Sequence, residues 1–245
     1  MAGPGTAVVF GASGNVGRAA ALGLLTGGYH VLAVARRSGG LHKLHALVDA
    51  SASAAADRLV PVEADVATPA GRDALLAAID AQPPLTAVVS SFGPWVVTPP
   101  MSRTDPETYA RLWASNVHPH FHAWRALAPR LATAAGGTYT VVTGAAGDAP
   151  GKAGLVGVAA SALFALTQWA MEEAKGWGAA GAAVTELRIA LRVEDDGVVD
   201  AGDATEGDDL KRASTFAAVF PALAAAKKAG ETVRMDGAAF TKMVG

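Results

Sequence analysis

Short runs of β-branched and other apolar residues alternate along the chain with longer alanine- and leucine-rich stretches. The short runs fall at 6–10, 30–35, 59–63, 85–90, 138–143, 184–190 and 232–235, and they predict strands. The longer stretches, at about 15–23, 41–56, 70–81, 106–134, 154–180 and 209–229, predict helices. Such alternation implies right-handed βαβ crossovers and a parallel sheet covered on both faces. The expected fold is therefore α/β, a doubly wound parallel sheet of about seven strands flanked by helices. No internal repeat or linker divides the chain, and 245 residues suit one such domain over 1–245.

Composition narrows the class. Half the residues are hydrophobic but only 6% are aromatic, so the core is aliphatic. A net charge of −2 argues against a nucleic-acid partner held through phosphates. The chain has no cysteine, which removes disulfides, thiolate nucleophiles and zinc–sulfur sites and fits a reducing cytoplasm. The start, Met1-Ala2-Gly3-Pro4-Gly5, carries no charged leader, so no targeting segment is expected. The apolar stretch 153–171 approaches membrane-spanning length but contains Ser161, Thr167 and Gln168. It predicts a helix in a core or a homodimer or homotetramer interface rather than a membrane span.

One segment departs from this pattern. Residues 194–209 hold eight acids, no lysine or arginine, and glycines at 197, 202 and 207. That density of like charge predicts a solvated, mobile loop. It follows the sixth strand, and ligands of open α/β sheets bind beyond strand carboxyl ends, so 192–210 is expected to act as a lid.

The first candidate chemistry lies at the first strand's end. Gly11-Ala12-Ser13-Gly14-Asn15-Val16-Gly17 follows a strand and opens a helix, the context in which a glycine triplet predicts a dinucleotide site. Gly11 permits the turn, Gly14 admits a pyrophosphate and Gly17 lets helix and strand pack, while the helix N-terminus offers N–H donors. This is the Rossmann arrangement, with Ser13, Asn15 and Val16 as further contacts. The second strand ends in Arg36-Arg37, where an NAD-selective site carries an acid for the ribose 2′-hydroxyl. Two guanidinium groups suit a 2′-phosphate instead, so the expected cofactor is NADP(H).

In this order the elements resemble the short-chain dehydrogenase/reductase family over residues 6 to 240. Asp65-Val66 after the third strand looks like the family's Asp-Val/Leu pair, whose carboxylate holds the adenine amino group. Ser90-Ser91-Phe92-Gly93 stands where relatives line the adenine ribose, and Phe92 with Trp95 where their substrates lie. Asn116 resembles the catalytic asparagine, and Arg234-Met235-Asp236-Gly237 the closing strand and its signature. The resemblance implies a small-molecule substrate. It also implies a serine past the fifth strand and a tyrosine–lysine pair on the next helix. Those positions fall on Gly144, Gly157 and Ser161, and no tyrosine follows Tyr139.

Glycine donates no proton and a serine hydroxyl is a poor acid, so ordinary ketone reduction is not expected. Asn116, Thr143 and His120 are the remaining catalytic candidates. Lys152 and Asp148 flank the vacated positions. His118 and His122 have the i, i+4 spacing of a shared metal, but no third ligand accompanies them and no metal is expected. Three functions stay open: hydride transfer from NADPH to an activated acceptor, a silent NADP(H)-binding sensor, or a cofactor-assisted non-redox enzyme.

Overall fold

The computed structural model describes residues 4–207 and 209–245. Seven strands form one parallel sheet in the order β3-β2-β1-β4-β5-β6-β9. They are β1 (Thr6–Phe10), β2 (His30–Ala35), β3 (Leu59–Glu63), β4 (Leu85–Ser90), β5 (Thr138–Gly144), β6 (Ala183–Ile189) and β9 (Glu231–Met235). The direction of winding reverses between β1 and β4, which opens a crevice at their carboxyl ends. β1 is buried at every residue because it lies mid-sheet with helices on both faces.

One face carries α1 (Asn15–Thr26), α2 (His42–Ala52), α8 (Ala213–Phe216), α9 (Val219–Ala226) and α10 (Gly237–Val244), packed on Val9, Val142, Leu187 and Met235. The other carries α3 (Pro69–Asp80), α5 (His118–Leu131) and α6 (Pro150–Lys175), packed on Val8, Phe10, Tyr139 and Val184. Local chemistry sets several helix starts. The Thr68 hydroxyl accepts from the Gly71 amide with Pro69 at the first turn, and Asp105 accepts from Thr108 with Pro106 beside it, opening α4 (Pro106–Asn116). Asp236 caps α10 through the Ala239 amide.

The single helix expected over 106–134 is two. Val117 (φ −111°, ψ −55°) breaks it between α4 and α5, and Pro119, which lacks an N–H, lies in the first turn of α5 where none is needed. α6 is long and apolar enough to span a membrane, yet its buried face rests on the sheet and on α4. Gly154 (φ +60°) interrupts it, and the Thr98 hydroxyl receives the Leu155 amide at the start of the regular helix.

The segment after β6 also differs from expectation. β7 (Arg192–Glu194) and β8 (Leu210–Arg212) form a two-stranded parallel sheet around α7 (Asp196–Asp200). The helix expected at 209–229 accordingly becomes β8, α8 and α9. Its acids are distributed over nearby partners: Asp200 and Glu206 pair with Arg212, and Asp196 receives the Ser214 amide. Asp208 lies outside the described residues.

Candidate functional site

At the switch point the turn after β1 meets the chain leaving β4. Gly11 has φ +68°, and a Cβ there would stand 1.7 Å from the Ser91 carbonyl oxygen; one on Gly17 would stand 2.1 Å from the Gly11 oxygen. No other residue fits either place. Gly14 is the N-cap of α1, with no side-chain cap and no acid in the first turn, so the leading N–H groups face the crevice. Arg18 fastens the turn: it donates to the Ser13 carbonyl (2.9 Å) and Asn15 Oδ1 (2.6 Å) and pairs with Asp195 (2.6 Å), which Lys43 also reaches.

Arg36 and Arg37 are exposed beyond β2. The 3₁₀ turn that follows them lies against Ser13, since a Cβ on Gly40 would be 3.2 Å from the Ser13 Cβ. Glu63, at the end of β3, accepts from the Ser38 amide (2.8 Å). That amide, the Ser38 side chain and Arg37 hold the carboxyl below the usual range. Asp65 is exposed and its Oδ1 accepts from Ala67, while Val66 is buried.

A cleft of about 1110 Å³ opens from this turn between β5 and α6. Asn15, Val16, Ser91, Phe92, Trp95, Asn116, Thr143 and Gly144 all contribute to it. From α6 come Lys152, Ala153, Val156, Ala160 and Leu163. Gly157 and Ser161 do not line it. A Cβ on Gly157 would meet the Pro150 Cα at 2.6 Å, and the Ser161 hydroxyl donates to the Gly147 and Gly157 carbonyls. The α6 pair at i, i+4 facing the cleft is thus Val156 and Ala160, both apolar.

Two candidates, Ser90 and His120, lie outside the cleft, and the side chains of Phe92 and Asn116 at its wall are engaged elsewhere. Ser90 is buried and bonds His120 Nδ1 at 2.7 Å, so its side chain is turned into the core. The Phe92 ring packs on Phe10 (5.3 Å) and edge-on against His120 (5.1 Å), which leaves Trp95, 68% exposed, as the aromatic at the mouth. His120 reaches from α5 to Ser90 on β4, and burial pushes its imidazole down to about 3. It stays neutral at neutral pH and is no proton donor to the cleft. Asn116 is buried and acts on backbone: Nδ2 donates to the Pro94 carbonyl (3.3 Å) while Oδ1 accepts from Ser115 (2.7 Å). It fixes the chain after β4 rather than presenting an acid.

The burial of His120 has a measurable result. The unfolded chain takes up a proton near pH 6.5 that the native imidazole refuses until about pH 3. Its contribution to stability is complete above the unfolded value and is lost as pH falls. Lowering the pH from about 6.5 to about 4.5 is expected to cost about 2–3 kcal/mol through this residue. Urea unfolding at both values should show a flatter decline in His120→Gln; equal declines would refute the assignment.

Sequence reading missed the acids at the rim. Glu194 and Asp209 line the cleft with Arg192. Burial opposes the Glu194 charge, but the Asp195 amide, Arg192 and Asn15 hold its carboxyl below the usual range. Asn15 Nδ2 donates both to Glu194 (3.1 Å) and to the Val193 carbonyl (2.9 Å), which joins β7 to the phosphate-binding turn. These contacts run between residues about 180 apart in sequence, so no local pattern announces them. Among the cleft side chains, Lys152 is the exposed ammonium and Glu194 is an anion. None of the three tyrosines lines the cleft; Tyr139 is buried in β5, its phenol pushed up by burial.

Comparison with known proteins agrees with this geometry. The family model described as short chain dehydrogenase matches residues 5–188. The short-chain dehydrogenase/reductase iacG of Pestalotiopsis fici is 31% identical over 146 residues, which span 58% of this chain and 57% of that relative, a little over half its length. Among solved structures, ElxO with NADP bound superposes with a TM-score of 0.78 at 15% identity, covering 98% of this chain and 100% of that one. A 3-ketoacyl-ACP reductase from Sinorhizobium meliloti 1021 gives 0.75 at 22% identity, with 97% and 99% covered. L-sorbose reductase from Gluconobacter frateurii, complexed with NADPH and L-sorbose, gives 0.76 at 20% identity with 96% of each chain covered. With three quarters of its length matched by the family model, and with the sheet order and glycine turn described above, the chain belongs to the short chain dehydrogenase family.

Proposed function

We propose that the protein is an NADPH-dependent reductase of an activated small molecule, one whose acceptor carbon is conjugated, imine-like or quinone-like. The observation that carries this reading is the apolar Val156–Ala160 face of α6, set opposite an open phosphate-binding turn. The residues fit NADP(H). The uncapped α1 N-terminus suits a pyrophosphate, and a Cβ at Gly14 would find only the Gly11 oxygen nearby, at 3.4 Å, so that side of the turn is open. Arg36, Arg37 and Ser13 would receive a 2′-phosphate, and NADP is named in the solved relatives ElxO and, as NADPH, L-sorbose reductase.

When bound, the cofactor supplies a hydride to an electrophilic carbon. The chain's own residues then bind and orient: Asn116 holds the Gly93–Pro94 wall, and Trp95 offers a flat apolar surface at the mouth. A plain ketone also needs a proton, and that face has no group to give one. In the same reading 192–210 acts as a lid, the compartment is the cytoplasm, and a second copy covers the groove of about 350 Å³ between α5 and α6, where Trp169 and Phe121 are exposed. Sedimentation giving a monomer at micromolar concentration would remove that last element.

The test is NADPH oxidation with ketones and aldehydes beside enones, quinones and imines. Turnover of activated acceptors is expected to exceed that of plain ketones by at least about a hundredfold, the lower end of general acid catalysis. Brisk ketone reduction would overturn the reading and point to Lys152. Tight NADPH binding with no turnover would favour the silent sensor, for which the absent acid is equally natural.

A further inference from the structure

Glu186 has no solvent exposure and sits in mid-strand on β6, where the proposed function gives it no task. Its oxygens are fully engaged. Oε1 accepts from the Thr143 hydroxyl at 2.6 Å and from Arg188 Nε at 2.9 Å. Oε2 accepts from the Thr232 hydroxyl at 2.7 Å and from a second Arg188 nitrogen at 3.0 Å. Arg188 is fixed in turn by Asp148 (2.8 Å) and by the Phe164 ring, whose centre lies 3.5 Å from the guanidinium carbon.

A carboxylate paired to a guanidinium accepts and cannot donate. Threonine has one hydroxyl proton. The Thr143 proton is therefore committed to Glu186, so Thr143, which helps to line the cleft, has only a lone pair left to offer a ligand. An enone or quinone oxygen would gain negative charge during reduction and would meet that lone pair with no hydrogen between them. An N–H group would be received. The rim is mixed, with Glu194 and Asp209 beside Arg192 and Lys152, so the N–H contact rather than net charge makes the discrimination.

We propose that the acceptor is a protonated imine, an iminium ion, whose N–H is bound by Thr143 under the hold of Glu186. This rests on the reductase reading and narrows it. The iminium carbon takes the hydride of NADPH, the C=N π pair becomes the nitrogen lone pair, and a neutral amine and NADP⁺ result. The nitrogen already carries its proton, so the apolar Val156–Ala160 face withholds nothing the reaction needs.

The experiment is calorimetric titration of the NADP⁺-loaded protein with 1,2,3,4-tetrahydroisoquinoline, an amine product analogue, and with 1-tetralone, a ketone of matched size. The amine is expected to bind at least about tenfold more tightly, and Thr143→Val to lower its affinity about tenfold, the scale of one hydrogen bond. Thr143→Ser, which keeps the oxygen, should retain amine binding, and NADP⁺ affinity should not change in either variant. Ketone binding as tight as amine binding in the wild-type protein would overturn the proposal, and this comparison needs no variant to fold. Amine affinity indifferent to Thr143→Val would overturn it as well, with the cofactor reading intact. Failure of NADP⁺ itself to bind would overturn the cofactor reading and this inference with it.

Discussion

Replacing Arg36 and Arg37 together with alanine is expected to weaken NADPH binding roughly hundredfold and to leave NADH binding within about twofold. Both side chains are exposed at the carboxyl end of β2, and among the described residues no carboxylate forms an ion pair with either. They are thus available to a phosphate. A charge-assisted hydrogen bond contributes about 1.5 kcal/mol at the low end suited to an exposed site. Two of them give about 3 kcal/mol, or roughly two decades of affinity. The Ser38 amide is occupied by Glu63, which holds this corner without neutralising the arginines through an ion pair. Fluorescence titration with both cofactors checks the result. An unchanged preference for NADPH in the double variant would show that the 2′-phosphate is read elsewhere.

The second large effect concerns Gly157. Substituting tyrosine there is expected to destabilise the fold by about 3 kcal/mol or more, because its first side-chain atom would lie 2.6 Å from the Pro150 Cα and 3.0 Å from the Ala146 oxygen. Both obstacles are backbone and cannot swing aside. For a domain of this size the midpoint of thermal unfolding should fall by about 6–12 °C. Gly144→Ser is the control: a Cβ there meets nothing within 4 Å, so a change within about 0.5 kcal/mol is expected. Circular dichroism melts of the two variants decide it, and equal midpoints would refute the close approach of Gly157 to Pro150. The same geometry corrects a reading based on alignment alone. The resemblance assigns the family's tyrosine and lysine to Gly157 and Ser161, but Val156 and Ala160 are the pair that lines the cleft. Restoring tyrosine at 157 is therefore a packing change before it is a catalytic one.

The chain's local pattern determined most of the scaffold. β1 to β4 lie where their apolar runs lie, because a buried parallel strand needs continuous apolar character that a short window already displays. The glycine turn was equally legible, since Gly11 and Gly17 answer to backbone freedom and close approach at a strand end. Helix continuity was less so: Pro119 signals a bend in 106–134, but the full break at Val117 follows from how α4 packs on α6 and α5 on the sheet.

Only the tertiary structure decided which polar residues face the cleft. His120 could serve a helix surface or an interior by its spacing, and the fold places it against Ser90 and Phe92. Glu194 and Asp195 read as part of a solvated run because their partners Asn15, Arg18 and Lys43 come from the other end of the chain. Glu186 carries no motif at all; Thr143, Thr232 and Arg188 give it meaning only when β5, β6 and β9 lie side by side. Local sequence reports backbone preference and burial period, whereas the direction of a hydrogen bond is set by neighbours that the chain brings together from tens to nearly two hundred residues away.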